Sequence, residues 1–381
     1  MVKVPVWLRT GSERIEIACR VMEDEDFPEG LTLLCGTRTQ SRIRAVMDAD
    51  NERVELRAVG IVSDLEPVDV LQQRMRAEPL RVLDLCGGMS GTYTILMDMG
   101  FRVDLWHAVE ADATARRVAE ALVPGLKHVG EDVTVFRPEG GLYNLVLAGP
   151  PCQPWSKANR DGAGFADSRA AAFESCCEII REVLEHDKVT GAGEAFALAK
   201  GLRGVTREEA VEKMLLDPGG IEEWKQETRV AVMMETVQVR NALKHEEEFQ
   251  ETLLGEKFEL VNPQHWGQAQ SRPRRVATNV ADLSTLRYKG SLDPNVLLEP
   301  LGLGMEARVA PCVMASRHTH APLMLWNVAA DRAVAPEEST IGAKEVLQGY
   351  QLGITNAWGK VEVSEAEREK LAGNAFHAVF I

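Results

Sequence analysis

Two patterns of hydrophobic and polar positions divide the chain. Over residues 1–78 apolar and polar positions alternate in short runs: Val4-Pro5-Val6-Trp7-Leu8, Arg14-Ile15-Glu16-Ile17-Ala18-Cys19, Leu31-Thr32-Leu33-Leu34-Cys35-Gly36 and Val54-Glu55-Leu56-Arg57. A period of two belongs to strands with one face on a core and one in water, so a small β-rich unit is predicted there. From Leu80 the runs become almost continuously apolar, at 81–86, 103–110, 143–148 and 229–234, with helix-prone segments such as 113–122 between them. Strands buried on both faces and separated by helices predict a doubly wound α/β domain with a mostly parallel sheet. The acidic, helix-prone stretch at about 187–227 is longer than one crossover needs, and it predicts an inserted helical segment.

Composition narrows the class without changing that picture. With 45% hydrophobic and 27% charged residues among 381, the chain can bury a core and is neither disordered nor fibrous. The longest apolar runs fall well short of the roughly 18 residues a membrane span requires, and Met1-Val2-Lys3-Val4 opens no signal-peptide pattern. Seven scattered cysteines without a Cys-x-x-Cys pair indicate neither a disulfide framework nor a zinc site, and they point to a reducing compartment, nucleus or cytoplasm. His318-Thr319-His320 lacks a third ligand nearby, so no metal is expected. A net charge of -15 argues against nonspecific coating of nucleic acid. Between Val261 and His320, however, seven basic residues face four acidic ones, a local excess suited to a nucleic-acid-facing segment.

The candidate chemistry sits at strand ends. After the first α/β strand comes Asp84-Leu85-Cys86-Gly87-Gly88-Met89-Ser90-Gly91-Thr92, a small-residue turn that lets a ligand approach the backbone beside a helix N-terminus. Glu110 ends the second strand and Asp132 follows the third, where a carboxylate can bind ribose hydroxyls. Helix capping is the competing reading of each acid. A Gly-rich turn and two acids at successive strand ends suggest an adenosine-bearing cofactor. The fourth strand runs into Gly149-Pro150-Pro151-Cys152-Gln153-Pro154-Trp155, where two prolines stiffen the loop around one thiol, which suits a positioned nucleophile. Glu235 places a carboxyl group at the end of the fifth strand, and the other six cysteines read as structural.

These residues carry a specific resemblance. Pro-Pro-Cys-Gln-Pro-Trp-Ser resembles the catalytic loop of the cytosine-C5 DNA methyltransferases, and the 84–92 turn resembles that family's S-adenosylmethionine loop. Further matches follow in the family's order: Glu110, Asp132-Val133, Glu235-Thr236-Val237, Gln270-Ser271-Arg272-Pro273-Arg274, Glu345-Val346-Leu347-Gln348-Gly349-Tyr350 and Gly373-Asn374-Ala375-Phe376. The layout from Leu80 to Ile381 is similar to that of the de novo-type eukaryotic members. The resemblance implies a DNA (cytosine-5-)-methyltransferase with S-adenosyl-L-methionine as cofactor and DNA as partner. It implies Cys152, Glu235, Arg272 and Arg274 as catalytic residues, with Asp84, Gly88, Ser90, Gly91, Thr92, Glu110, Asp132, Pro151 and Asn374 binding the cofactor. Gln270, Arg275 and Arg317 are implied to contact DNA. The domain reading is then a catalytic core at 79–279, a target-recognition segment at 280–340 and C-terminal motifs at 341–381.

Departures from the family pattern bear on activity. Cys86 replaces the usual aromatic residue, Thr236 replaces the asparagine after the catalytic glutamate, and the insertion before that strand is long. The chain stops within the last motif's strand, so a fragment or a decayed copy is one expectation. A catalytically impaired DNA-binding or scaffold relative is an alternative reading. An RNA cytosine methyltransferase is another, although a transfer-RNA-methylating relative carries Cys-Phe-Thr where this chain has Cys312-Val313-Met314. Dinucleotide binding would explain only the first turn. A protein partner or a homo-oligomer is left open. Residues 31–56 remotely resemble the closing half of a retroviral-type aspartic protease fold, without its Asp-Ser/Thr-Gly triplet, so any such unit is expected to be inert as a protease.

Overall fold

The computed structural model describes residues 2–7, 14–21, 32–35, 44–48, 53–56, 75, 77–155, 166–224, 228–237, 258–281, 283, 291–313, 323–334 and 340–376. Strands β1 (Val2–Trp7), β2 (Arg14–Val21), β3 (Thr32–Cys35), β4 (Arg44–Asp48) and β5 (Arg53–Leu56) form one antiparallel sheet in sequence order. Each strand pairs antiparallel with the next in sequence.

The second sheet has seven strands: β6 (Leu80–Leu85), β7 (Val103–Val109), β8 (Lys127–Gly130), β9 (Leu145–Ala148), β10 (Ala231–Val237), β11 (Glu259–Val261) and β12 (Arg274–Thr278). Their order across the sheet is β11-β12-β10-β9-β6-β7-β8. The five from β8 to β10 run parallel, and β12 is antiparallel to both neighbours. This is the doubly wound, mostly parallel sheet expected from the apolar runs. The chain winds outward from β6 through β7 to β8 and then returns to place β9 on the other side of β6. That reversal opens a crevice at the carboxyl ends of β6 and β9, where ligands of open α/β sheets bind.

Helices cover both faces. Val82, Trp106, Ala108, Leu145, Leu147, Ala231 and Met233 project to one side, into a cluster with residues of α1 (Thr92–Asp98), α2 (Ala113–Leu122) and the C-terminal segment. Leu83, Leu85, Val109, Val146, Ala148, Val232 and Met234 project to the other, against Phe173, Cys176, Cys177, Ile180 and Val183 of α3 (Ala170–Ala199). The stretch expected as an insertion is built from the last turns of α3 together with α4 (Arg207–Leu215) and α5 (Gly220–Trp224). A Cβ on Gly193 would lie 2.7 Å from Val211 Cγ2, so the glycine permits close contact between α3 and α4. No helix among the described residues is long and apolar enough to cross a membrane.

After β12 come α6 (Asn295–Leu298) and a three-stranded antiparallel sheet of β13 (Leu303–Gly304), β14 (Trp326–Asn327) and β15 (Arg332–Ala333). Leu298, Met305, Ala310, Val313 and Leu325 pack with Ala343, Val346 and Leu347 of α7 (Ile341–Leu347). The chain then enters α8 (Glu365–Asn374) through a capping box in which the Ser364 hydroxyl accepts from Glu367 N–H and the Glu367 carboxylate from Ser364 N–H. Tyr350 lies 3.0 Å from a Cβ built on Gly91, and the Phe376 ring lies 3.0 Å from one built on Gly149, so larger residues at either glycine would displace the C-terminal motifs.

Glu345 organises this return. Its buried carboxylate accepts from Gly353 N–H (2.6 Å), Thr355 N–H (3.0 Å), Thr355 Oγ1 (2.5 Å) and Arg368 Nη2 (3.1 Å). Glu345→Ala should therefore lower stability by about 3 kcal/mol, since it orphans two backbone donors and a half-buried guanidinium together. Urea unfolding checks this, and a loss under about 1 kcal/mol would show that water substitutes for the carboxylate.

Candidate active site

The turn after β6 has an unusual backbone. Cys86, Gly88 and Ser90 have φ values of 54°, 61° and 51°, alternate residues in a region that non-glycine side chains rarely adopt. Close packing accompanies it, for a Cβ on Gly87 would lie 2.0 Å from Asp84 Oδ1. Gly88 N–H donates to Glu110 Oε2 (2.9 Å) and Asp112 N–H to Glu110 Oε1 (2.8 Å), so the end of β7 is tied to the turn. Asp112 rather than Glu110 caps α2, accepting from Thr114 N–H and Ala115 N–H at 2.9 Å each. Asp132 is exposed beyond β8, and hydrogen bonds from the Thr134 hydroxyl and N–H hold its carboxyl below the ordinary value.

Asp84 is completely buried and accepts from Ser90 Oγ (2.7 Å). Burial pushes its pKa up to about 7 against the opposing pull of Ser90, and the charge of Glu110 adds to the rise. Thr92 Oγ1, at the first turn of α1, is buried with no hydrogen-bond partner among the described residues. A cradle of small residues, a carboxylate pair and an unpartnered hydroxyl fit a cofactor that carries hydroxyls and positive charge. S-adenosylmethionine has both.

The thiol of Cys152 stands across the crevice, on the loop after β9. Trp155 anchors this loop: its ring is wholly buried at 5.0 Å from Phe173, and its backbone N–H donates to Cys152 O (3.2 Å). Glu235 near the end of β10 and Arg274 at the start of β12 lie on one face of the antiparallel pair, and Arg274 Nε meets Glu235 Oε1 at 2.7 Å with both side chains nearly enclosed. Burial raises the Cys152 thiol above its ordinary range, Arg274 and Arg272 pull it down, and Glu235 pushes it up. The nucleophile, the acid and the arginine expected together are thus electrostatically coupled neighbours.

Other expected residues stand differently. Arg272 is buried, and its guanidinium donates to Val313 O (3.1 Å), Gly373 O (3.2 Å) and Ala375 O (2.9 Å), so most of its donors are spent on backbone carbonyls. Gln270 and Arg275, expected on a DNA-facing surface, are instead buried. Gln270 is enclosed beside its backbone bridge to Ala310, and Arg275 falls on the face of β12 opposite Arg274 because side chains alternate along a strand. Arg317, His318 and His320 lie outside the described residues, among which no three His, Cys, Asp or Glu side chains are placed to hold a metal ion. Gly91 and Pro151 flank the crevice, whereas Asn374 is exposed at the end of α8.

One residue at the site was read as structural. Cys312 accepts from Arg272 Nη1 (3.5 Å) and Arg274 Nη2 (3.7 Å). Burial would raise its thiol, but the two guanidiniums outweigh burial and lower it. The Cys312-Val313-Met314 triplet marks its place in the chain, but not its arginine partners, which are about forty positions away in sequence.

Residues 80–184 match the family model of the C-5 cytosine-specific DNA methylases. Human tRNA (cytosine(38)-C(5))-methyltransferase is 27% identical over 106 residues, 27% of this chain and 27% of that protein, and the Bos taurus enzyme of the same name is 26% identical over 106 residues. The match spans about a quarter of the length of these curated relatives. Among solved structures, the S. pombe Dnmt2 methyltransferase is similar with a TM-score of 0.44 and 15% identity, over 80% of this chain and 96% of that one. The Entamoeba histolytica methyltransferase EhMeth is similar with a TM-score of 0.48 and 11% identity, over the same shares.

The charges around Cys152 set a pH dependence. Because burial disfavours its thiolate, alkylation of Cys152 by iodoacetamide should still be rising with pH above the ordinary thiol value near 9. Arg274→Gln removes the largest opposing charge and leaves Glu235 to repel the thiolate, so alkylation at pH 8 should slow about tenfold. Mass spectrometry of the Cys152 peptide gives the rates, and a plateau below pH 8 in the unsubstituted protein would show that the arginines outweigh burial.

Proposed function

We propose, for a chain that is a divergent member of the C5-cytosine methyltransferase family through residues 80–184, that it methylates cytosine at C5 in DNA through a covalent adduct to Cys152. The observation that carries this reading is the convergence of Cys152, Glu235 and Arg274 at the carboxyl end of the sheet, across the crevice from the 84–92 turn. S-adenosylmethionine, the family's cofactor, supplies an electrophilic methyl group on a sulfonium. The glycine turn, Ser90 and Thr92 would receive its polar end, and Glu110 and Asp132 its hydroxyls.

Cytosine C5 is a weak nucleophile, and the chain's own groups solve that problem. The Cys152 thiolate adds to C6, which makes C5 enamine-like. Glu235, in its acid form, donates its proton in a hydrogen bond to N3 as negative charge develops on the ring, and Arg274 holds both Glu235 and the O2 edge. Once C5 carries the methyl group, its proton is lost to base, the sulfur–C6 bond breaks and the thiolate is restored. Because C5 and C6 are stacked inside a duplex, the base must be turned out into the crevice.

DNA is favoured by the family model that matches and by Cys312-Val313-Met314 in place of Cys-Phe-Thr. A second reading, transfer RNA, is supported by the names of the curated relatives. Methyl transfer measured side by side on unmethylated DNA and unmodified tRNA separates the two.

If Cys152 adds to C6, 5-fluorocytosine in the preferred nucleic acid should trap a covalent complex in the presence of S-adenosylmethionine, because fluorine cannot leave as a proton. Cys152→Ala should abolish the complex on denaturing gels, and an undiminished yield would remove Cys152 from the chemistry. Thr236 generates a further expectation. Its hydroxyl is buried with no hydrogen-bond partner among the described residues, so it braces nothing in the Pro150-Pro151-Cys152 loop. Thr236→Asn should raise the methylation rate about tenfold at unchanged cofactor affinity, because a nucleophile misplaced by about 1 Å can cost on the order of a hundredfold. An equal or slower rate in the folded variant would show a site adapted to threonine.

A further inference from the structure

Cys86 replaces an aromatic residue in the family pattern, and the structure gives it a specific neighbour. Its side chain is half-buried, and it packs on the cluster formed by α3 and the sheet. In that cluster the thiol of Cys176, fully enclosed in the second turn of α3, hydrogen-bonds to Cys86. The backbone of Cys86 is fixed by its N–H, which donates to Val109 O (2.8 Å), and its carbonyl lies 3.4 Å from a Cβ built on Gly149. Cys86 therefore adjoins the turn, the end of β7 and the loop that leads to Cys152. Cys177, one residue along the helix, is also buried.

We propose that Cys86 and Cys176 form an oxidisable dithiol on the floor of the cofactor cradle, a modification site that takes a peroxide as its oxidant. The placement in the cradle rests on the cofactor reading of the 84–92 turn, whereas the dithiol itself does not. Cys86 is the thiol that reaches solvent. It reduces the peroxide O–O bond and becomes a sulfenic acid, with release of water or an alcohol. The Cys176 sulfur then attacks that sulfenic sulfur, its proton leaves with the hydroxyl as water, and a disulfide forms. The hydrogen bond to Cys86, and then burial, keep Cys176 protonated well above the ordinary thiol range, so it is a poor first target and serves as the resolving thiol. The bond would draw the floor of the turn toward α3. The contacts that shape the cradle, Gly88 N–H to Glu110 and Ser90 Oγ to Asp84, begin two and four residues from Cys86 and would shift with it.

The test treats the full chain with hydrogen peroxide, blocks residual thiols with N-ethylmaleimide after denaturation, and maps peptides by mass spectrometry. A Cys86–Cys176 disulfide reversed by dithiothreitol is expected. With it, S-adenosylmethionine affinity by calorimetry should fall at least tenfold and recover on reduction. In Cys176→Ser the oxidation should stop at a sulfenic acid on Cys86, which dimedone captures, and Cys86→Ser should form no disulfide at all. Cys176 fully alkylated after peroxide treatment, or a disulfide to Cys177 or Cys152 instead, would overturn the dithiol. Bound S-adenosylmethionine should slow the oxidation of Cys86 at least fivefold. A disulfide that forms at the same rate with and without it would uphold the dithiol and remove the turn as the cofactor site.

Discussion

The burial of one guanidinium holds the separate parts of this molecule together. Arg272 lies just before β12 and gives its donors to Val313 in the segment after the sheet and to Gly373 and Ala375 at the end of α8. Three stretches about forty and a hundred residues apart thus meet on one planar cation. A guanidinium can do this because its five donors point outward in one plane and it stays charged when enclosed. Lysine would satisfy fewer of these carbonyls and would lose its proton more readily on burial. Asn262 fixes the backbone under it, accepting from Arg272 N–H at 2.9 Å.

The electrostatics of the crevice follow from that placement. With Arg272 committed largely to carbonyls, Arg274 two residues on shares Cys312 with it and pairs with Glu235. The two cations then sit between two thiols that respond in opposite ways. Cys312 is hydrogen-bonded by both arginines and lies low, whereas Cys152, raised first by burial, feels their charge beside that of Glu235 and lies high. Direct contact decides the difference, since both thiols are largely enclosed. An enclosed cysteine kept as a thiol is protected from adventitious alkylation.

Sequence patterns carried the sheet and its chemistry because both depend on short-range order. Apolar runs marked β6, β7, β9 and β10, turn residues marked the strand ends, and fold topology brings strand ends together at the switch between β6 and β9. The positions of Cys152, Glu235 and Arg274 were legible for that reason. Side-chain direction across β12 was harder to read. Arg274 and Arg275 are adjacent in a basic run, yet alternation sends one into the crevice and the other into the opposite layer, and Gln270 disappears beneath Ala310. Cys312 and the contact of Cys86 with Cys176 were invisible because each joins segments far apart in the chain. The left-handed conformations of Cys86 and Ser90 were equally hidden, since neither residue type prefers them.

The cofactor half of the crevice holds unspent electrostatic strain of its own. Asp84 is raised from 3.8 to about 7 by complete burial, with Glu110 adding to the rise. A folded-state pKa above the unfolded one means that the protonated form favours the fold, so stability falls as pH rises from about 4 to 7 and the cost is complete above that. Three units correspond to about 4 kcal/mol, on the order of a third of a typical domain's stability. A cation placed against Asp84 would oppose that rise, because an opposite charge favours the carboxylate, and it would offset the penalty as it binds. The two ends of the crevice are built on opposite principles: enclosed guanidiniums gather at one end, and a carboxyl pair, with Asp84 fully buried, gathers at the other.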